Sequence, residues 1–280
     1  MRPMATVRTY VCGALAAWCV LSAAGSAPAQ DKWGTIKGQV IFGGDKLPVP
    51  EALNVTANKK ECLDDQKKKE LLSDEWVIDP KTKGVRWAVV YLIPANVNKN
   101  VNTDVLKPIP IHPDLKKQKP ANVIVDQPCC KFEPYVIALR DGQSITVKNS
   151  MSIGHNSKVD GNPAFGNPEV NPQIPPGKEV DIGPFHPQWS SIPVSCSSHG
   201  WMKGYIRVFS HPYFCVTNEK GEFEIKDAPA GTFRLVIWHP GAGYVLGDNV
   251  ADKFGVPVEI KADKTTNLGT YKVPPPAEKK

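Results

Sequence analysis

Four residues of this 280-residue chain have side chains that could bind one metal ion. Cys196, His199 and Met202 follow a Cys-x-x-His-x-x-Met spacing, and His155 lies about forty residues upstream. A thiolate, two imidazoles and a thioether are the ligands of a blue-copper site, in which Met is the long axial contact. A short loop that carries three of the four ligands fixes their angles by its length. The residues therefore predict a single copper ion that transfers electrons.

The residues around the two ligand segments predict β-strands. Ile192, Val194 and Cys196 alternate with polar or small residues, so the cysteine is expected to end a half-buried strand. The segment 144–149 has the pattern of another strand and leads toward His155. The two ligand segments would thus lie at the ends of strands.

A plainer interpretation of the same residues stays open. Cys196 would then be a structural thiol, His199 a surface histidine and Met202 a core residue. A cysteine and a histidine three positions apart often occur by chance, so this pair alone is weak evidence for a metal site. Because Met202 stands at the next matching position and His155 is followed by Asn156, copper binding is the favoured interpretation.

The ligand spacing resembles that of the cupredoxin family, and the loop is similar to the short ligand loop of amicyanin. In that family the first His is commonly followed by Asn, as His155 is by Asn156. The resemblance implies that Asn156 hydrogen-bonds Ser197 and that its backbone N–H points at the sulfur of Cys196. Such residues orient the ligands and tune the metal.

The same resemblance implies a route for electrons. In cupredoxins the electron usually passes through a solvent-edge His, which corresponds to His199, and Trp201 would belong to the hydrophobic docking patch. The partner would be another redox protein. The lysines at 67–69 and 116–117 could attract an acidic partner, although solvated turns are the simpler explanation. Basic residues do not interleave with aromatic ones, so nucleic-acid binding is not expected.

Outside this region the chain resembles a second β-sandwich. The segments 216–225 and 229–235, with Gly221 at the first turn, are similar to a hairpin of carboxypeptidase-regulatory-like (transthyretin-type) sandwiches and of the fibronectin-like module in rhamnogalacturonan lyases. The segments around 38–40 and 88–92 resemble the first half of that module.

These patterns predict an all-β protein in which a cupredoxin Greek-key β-sandwich is combined with a transthyretin-like or fibronectin-like β-sandwich. We expect residues 30–95 and 211–273 to form one discontinuous sandwich, residues 121–210 to form the cupredoxin domain, and residues 274–280 to be a disordered tail. Two sequential domains, with independent N-terminal strands, remain the alternative.

Several further motifs accompany the copper loop: Asp126-Gln127, Cys130-x-Phe132-x-Pro134, His211-Pro212-Tyr213-Phe214 and Trp238-His239-Pro240. Together they resemble the cupredoxin-containing proteins often labelled methylamine-utilisation-like. That label implies export and copper, but no particular pathway.

Residues 1–29 predict a secretory signal. Arg2 and Arg8 precede an apolar run at 11–24, and Ala27-Pro28-Ala29 provides an A-x-A cleavage site. The apolar run is too short to span a bilayer. We therefore expect a protein that is exported to the periplasm and has no membrane span.

Removal of this segment leaves five cysteines: Cys62, Cys129, Cys130, Cys196 and Cys215. An odd number in an exported protein requires a thiol with a reason to stay unpaired. If Cys196 is a ligand, the other four can form two disulfides. Of the three possible pairings, one would join Cys129 to the adjacent Cys130, which is poorly placed to bond it, and of the other two we select Cys62–Cys130 with Cys129–Cys215. A free Cys62 is the alternative.

The composition disfavours a copper enzyme. The chain has six histidines and no His-x-His pair, too few for a trinuclear cluster, and the ligand loop has a single cysteine, so a binuclear site cannot form there. No nucleophile has a base at a recognisable spacing. With four methionines in the chain, copper storage is also disfavoured. An electron carrier that is not an enzyme is the first hypothesis.

A cell-envelope binding protein is the second hypothesis. Its second sandwich would recognise a polysaccharide or a protein, and its copper site would be vestigial or accessory. Trp189, Trp238 and Tyr244 could stack on sugars, although core packing is the simpler role. The other four histidines each precede Pro, which is typical of turns, and they are His112, His186, His211 and His239. A second metal site formed by two of them is less favoured.

Overall fold

The structure is a computed structural model that describes residues 32–63, 70–98, 100, 107–245 and 253–276. These residues form eighteen strands and two five-residue helices, so the all-β prediction is confirmed. The helices are α1 (Lys59–Leu63) and α2 (Pro113–Lys117). The strands are β1 (Trp33–Phe42), β2 (Val89–Pro94), β3 (Val123–Asp126), β4 (Val136–Arg140), β5 (Ile145–Lys148), β6 (His155–Asn156), β7 (Lys158–Asp160), β8 (Glu169–Val170), β9 (Gln173–Ile174), β10 (Glu179–Ile182), β11 (Ile192–Ser195), β12 (Lys203–Phe209), β13 (Phe214–Val216), β14 (Glu222–Pro229), β15 (Gly231–His239), β16 (Gly243–Val245), β17 (Val256–Ile260) and β18 (Thr265–Val273).

Some sequence predictions fall on other parts of the chain. The secretory signal at 1–29, the lysines at 67–69 and residues 277–280 of the predicted tail lie outside the described residues. Among the described residues, no helix has the length and apolar character needed to cross a membrane.

Strands β3 to β12 form what we call the ligand half. They make a five-stranded sheet (β4-β12-β11-β7-β8), a three-stranded sheet (β10-β5-β3) and a two-stranded sheet (β6-β9). In β11 the side chains of Ile192 and Val194 are buried and alternate with more exposed residues, as the sequence pattern predicts. Both belong to one apolar cluster with the sulfur-bearing residues Cys196 and Met202. The core of this half therefore continues into the ligand loop.

Strands β1, β2 and β13 to β18 form what we call the flanking half. One sheet has the order β14-β1-β18, and the other has the order β13-β2-β15-β16, with β17 paired to β15. Strands from before residue 95 thus pair directly with strands from after residue 211. This pairing is what a discontinuous sandwich requires, while the predicted domain boundaries stay a prediction.

The turn at Gly221 connects two sheets. The sequence predicted a hairpin here, but β13 pairs with β2 whereas β14 pairs with β1. Gly221 has a φ of 72°, and a Cβ at this position would lie 2.0 Å from the carbonyl oxygen of Val40. Only glycine fits such a close backbone approach. Within β14, Phe223 and Ile225 are buried on one face, as predicted.

Part of the segment between β1 and β2 packs on the ligand half. Val55, Cys62 and Leu71 are buried in the apolar cluster of that half. A disulfide joins Cys62 to Cys130, so the first predicted pairing is confirmed. In the same segment, α1 precedes a β-bridge between Ala52 and Leu72.

The second predicted disulfide, between Cys129 and Cys215, is wrong. Cys215 lies in β13, where it is opposite Val90 of the flanking half, and it keeps a free thiol. Burial raises the pKa of this thiol to about 12. Cys129 lies in the ligand half, where its backbone N–H contacts the sulfur of Met151. Cys129 therefore belongs to the ligand half and Cys215 to the flanking half.

Arg207 of β12 joins the two halves. Its buried guanidinium donates hydrogen bonds to the hydroxyl of Tyr91 (3.1 Å) and the carbonyl of Trp189 (2.9 Å). The guanidinium carbon lies 5.4 Å from the ring centre of Tyr91 and 5.5 Å from that of Trp238, within the range of cation–π attraction. Because a buried cation is costly without such partners, these contacts favour one arrangement of β12 against β2 and β15.

Three of the His-Pro pairs form turns in which the imidazole accepts a backbone hydrogen bond. In each turn Nδ1 accepts from the N–H two residues later: His112 from Asp114 (3.2 Å), His211 from Tyr213 (3.1 Å) and His239 from Gly241 (3.2 Å). The turn interpretation is therefore confirmed for these histidines.

His211 predicts a pH dependence of stability. Burial lowers its pKa from 6.5 to about 4, against a smaller upward effect of a hydrogen bond with the Leu92 backbone. Between pH 6.5 and about 4, this imidazole takes up a proton in the unfolded chain but not in the folded protein. The free energy of unfolding should therefore decrease as the pH falls from 6.5 to 4, by up to about 1.4 kcal/mol per pH unit from this group.

The variant His211→Asn keeps an acceptor for the N–H of Tyr213 but does not titrate. In urea unfolding of the metal-free protein between about pH 4 and 6.5, it should show a shallower loss of stability than the wild type. Equal slopes for the two proteins would contradict this role of His211.

Candidate metal centre

The ligand loop is closed by its own backbone. It runs from Cys196, directly after β11, to Met202, directly before β12. The N–H of Met202 donates to the carbonyl of His199 (2.8 Å), and the N–H of Cys196 donates to the carbonyl of Met202 (3.3 Å). The loop therefore spans two neighbouring antiparallel strands, as the sequence predicts.

A buried asparagine shapes the turn that leads to His155. The amide of Asn149 donates to the carbonyls of Ile153 and Ile174, both at 2.8 Å, and its oxygen accepts from the N–H of Met151 at 3.0 Å. Ile174 also pairs with His155 in the two-stranded sheet. These bonds hold the turn so that His155 faces the ligand loop.

The structure brings three of the predicted ligand atoms together. Nδ1 of His155 lies 3.0 Å from Nδ1 of His199. The sulfur of Cys196 lies 3.9 Å from the first of these nitrogens and 3.6 Å from the second. All three residues are buried, and among the described residues they are the one group of His, Cys and acidic residues found with metal-binding spacing.

The spacing of these atoms fits a metal ion. A circle through three points with these separations has a radius of about 2.1 Å, close to the ~2.0–2.3 Å at which imidazole and thiolate bind zinc. Burial lowers the pKa of His155 to about 4, with a further effect of His199, and burial also lowers the pKa of His199. Both rings are therefore neutral near pH 7, as metal ligands must be.

Asn156 connects the two ligand segments. Its Oδ1 lies 3.1 Å from the sulfur of Cys196 and accepts from the N–H of Ser198 (3.2 Å). Its Nδ2 donates to the hydroxyl of Ser197 (3.3 Å), the bond that the family resemblance implied, and to the side-chain oxygen of Asn171. The implied contact from the Asn156 backbone N–H is not among the hydrogen bonds of the sulfur in the described residues.

Sequence reasoning missed two residues of this centre. Asn171, which bonds Asn156 and Ser197, lies in a region rich in Pro, Gly and Asn where no spacing singles it out. Asn58 contacts the ring of His199 from 141 positions away along the chain. No local pattern marks either residue.

Two expected features of the ligand loop have different outcomes. His199 is 1% exposed, so the expectation of a solvent-edge histidine is wrong. The reason is that the Asn58 side chain covers its outer nitrogen. Met202 is buried in the same cluster as Cys196, as an axial ligand must be, and its role as a ligand stays a prediction.

Of the aromatic residues considered for sugar stacking, Trp238 lies in the core and Trp189 lies at the surface. Trp238 is buried and contacts Arg207 and the ring of Tyr205. The hydroxyl of Tyr244 donates to the Trp189 carbonyl. Trp189 is 38% exposed. Core packing therefore accounts for Trp238.

Comparisons with known proteins give structural likenesses of low score. No protein-family model matches the chain, and no curated protein matches it. A copper-containing nitrite reductase from Thermus scotoductus SA-01 is 23% identical over 36% of this chain, with a TM-score of 0.30. A point mutant of amicyanin in its reduced Cu(I) form is 18% identical over 34% of this chain and 88% of its own, with a TM-score of 0.28. A purple cupredoxin from Nitrosopumilus maritimus is 18% identical over 31% of this chain and 99% of its own, with a TM-score of 0.26.

The matched region spans 27% of the length of the nitrite reductase. The assignment of a metal to this chain therefore depends on its own residues.

Asn156→Ala should destabilise the metal-free protein by about 1–3 kcal/mol, because the buried thiol of Cys196 and the backbone N–H of Ser198 lose their shared acceptor. Urea unfolding near pH 7 measures this loss. Asn162→Ala is a matched control, since it removes an exposed asparagine that caps a short turn through the Ala164 N–H. Equal losses in the two variants would contradict a special role for Asn156.

Proposed function

We propose that this protein is a copper-binding electron carrier that is exported through the signal at 1–29. The observation that carries the proposal is the buried triangle of His155, Cys196 and His199, whose ligand atoms lie 3.0, 3.6 and 3.9 Å apart. A thiolate and two imidazoles in one plane are the donor set of a blue-copper centre. Met202, in the same loop, is proposed as the axial ligand.

Copper would supply a centre that exchanges one electron at a time. The work of the chain is to hold the donors so that they rearrange little between the two oxidation states. His155 is placed by a turn that Asn149 fixes, and Cys196 and His199 are placed by a loop closed between β11 and β12. Since all these elements share one packed core, a movement of one ligand would disturb its neighbours.

Cys196 must lose a proton when the metal binds, because the thiolate is the ligand form. The thiol lies 3.1 Å from Oδ1 of Asn156 and donates a hydrogen bond to it. The same oxygen accepts from the N–H of Ser198 and so remains bonded after the thiol proton leaves. Asn156 therefore supports the loop in both the metal-free and the metal-bound protein.

The proposed partner is another redox protein, one with an acidic surface. The mild positive charge of the chain would attract such a partner. The flanking half is proposed to contact an envelope polysaccharide or protein, so that the copper centre is kept in the periplasm near its partners.

The first test is the visible spectrum of the purified protein, without residues 1–29, after addition of Cu(II). One equivalent should produce an intense thiolate-to-copper charge-transfer band, and Cys196→Ser should abolish it. Cys215→Ser is the matched control, since Cys215 is a partly buried free thiol of the flanking half, and it should keep the band. A colourless wild type, or a band that survives Cys196→Ser, would overturn the proposal.

The second test concerns the axial ligand. Met202→Leu keeps a similar volume but removes the thioether, so the protein should still bind copper with a changed reduction potential, since the axial ligand tunes that potential. Met151→Leu is the control, because Met151 belongs to the same core but contacts the backbone of Cys129. Equal potentials for the wild type and Met202→Leu, measured by redox titration, would exclude Met202 as a ligand.

A further inference from the structure

The outer nitrogen of His199 is covered by a residue from a distant part of the chain. Nε2 of His199 lies 3.0 Å from Oδ1 of Asn58. Asn58 is itself exposed, whereas His199 is 1% exposed. The Asn58 amide therefore lies between the imidazole and the solvent.

Residues 53–63, which we call the cap segment, are anchored on the ligand half. Val55 and Cys62 are buried in its core, and Cys62 is bonded to Cys130. The carbonyl of Asn58 accepts from the N–H of Cys62 at 2.9 Å, and Asn58 has a φ of 49°. Asparagine adopts this left-handed conformation more readily than most residues. The position of the Asn58 amide is therefore fixed by a covalent bond and a local turn.

The same disulfide is also linked to a second neighbour of His199. The indole N–H of Trp201 donates to the carbonyl of Cys130 at 3.2 Å. The Trp201 ring packs edge-on against the His199 ring, with 5.1 Å between their centres. His199 thus contacts both Asn58 and Trp201, and both are linked to the Cys62–Cys130 bond.

A neutral imidazole carries one proton, on one of its two nitrogens. An amide oxygen at Nε2 favours the form with the proton on Nε2, which leaves the lone pair of Nδ1 directed at His155 and Cys196. By contrast, the buried Nε2 of His155 has no hydrogen-bond partner in the described part of the chain. The proton between the two Nδ1 atoms is then donated by His155 to His199.

We propose that Asn58 is a positioning residue for His199 and that the cap segment limits exchange of the metal at the centre. This inference rests on the proposed copper function for its second part only. The Asn58 oxygen selects the ligand-competent form of His199 before any metal arrives. The cap segment also covers the edge of His199 that would otherwise face a partner.

The first experiment uses the metal-free full chain and reads the tautomer of His199 by ¹⁵N NMR of the imidazoles. The wild type should show the proton of His199 on Nε2. Asn58→Gly removes the amide without backbone strain and should give a mixture of the two forms, while Asn58→Asp, which keeps an acceptor oxygen, should restore the Nε2–H form. Asn54→Gly changes an exposed asparagine of the same segment and serves as the control.

The second experiment follows loss of copper from the loaded protein to an excess of chelator. Asn58→Gly should weaken copper binding and speed its loss by about ten-fold, as changes in residues that orient metal ligands do. Asn58→Asp and Asn54→Gly should behave like the wild type.

The results separate the two proposals. If His199 in Asn58→Gly keeps the wild-type tautomer, the positioning role is overturned, whether or not copper binds. If the tautomer changes but the rate of copper loss equals that of Asn54→Gly, the cap segment does not limit exchange. If the wild type takes up no copper, the proposed function fails while the NMR result still decides the role of Asn58.

Discussion

Two imidazole nitrogens and a sulfur lie 3.0–3.9 Å apart in a buried place. Burying three polar groups so close together is costly unless each is hydrogen-bonded and held by its neighbours. The rest of the ligand half can be understood as the means of holding them. A site whose polar groups are fixed in this way by packing and hydrogen bonds is prepared in advance for a ligand.

Hydrogen bonds from amide side chains position most of these residues. Asn149 fixes the turn before His155, Asn156 joins that segment to the ligand loop, and Asn58 fixes the outer edge of His199. An amide offers both a donor and an acceptor without a charge, so it can bond backbone groups and ligands together in a buried place. A carboxylate would add a charge beside the thiolate, and a hydroxyl would reach fewer partners.

The centre also depends on parts of the chain that carry no ligand. The cap segment comes from between β1 and β2, yet it packs on the ligand half through Val55 and the Cys62–Cys130 bond. Arg207 bonds β12, the strand after the ligand loop, to strands of the flanking half. The two halves are therefore coupled in two places: at His199, through the cap segment, and at β12, through Arg207. Destabilising the flanking half is expected to loosen the metal centre, even though its residues lie outside it.

The amino-acid sequence by itself indicated the candidate donors, because Cys196, His199 and Met202 are close along the chain and their spacing is a local property. It also indicated strands, whose alternation of buried and exposed residues is local, whereas it left the disulfide pairing open. What only the tertiary structure decided are contacts between distant segments: Asn58 over His199, Asn171 beside Asn156, and the separation of Cys215 from Cys129. Such contacts leave no periodicity in the sequence, since they depend on which sheets pack together and on how the loops between them fold. For that reason the sequence could indicate candidate metal ligands, but not that His199 would be buried.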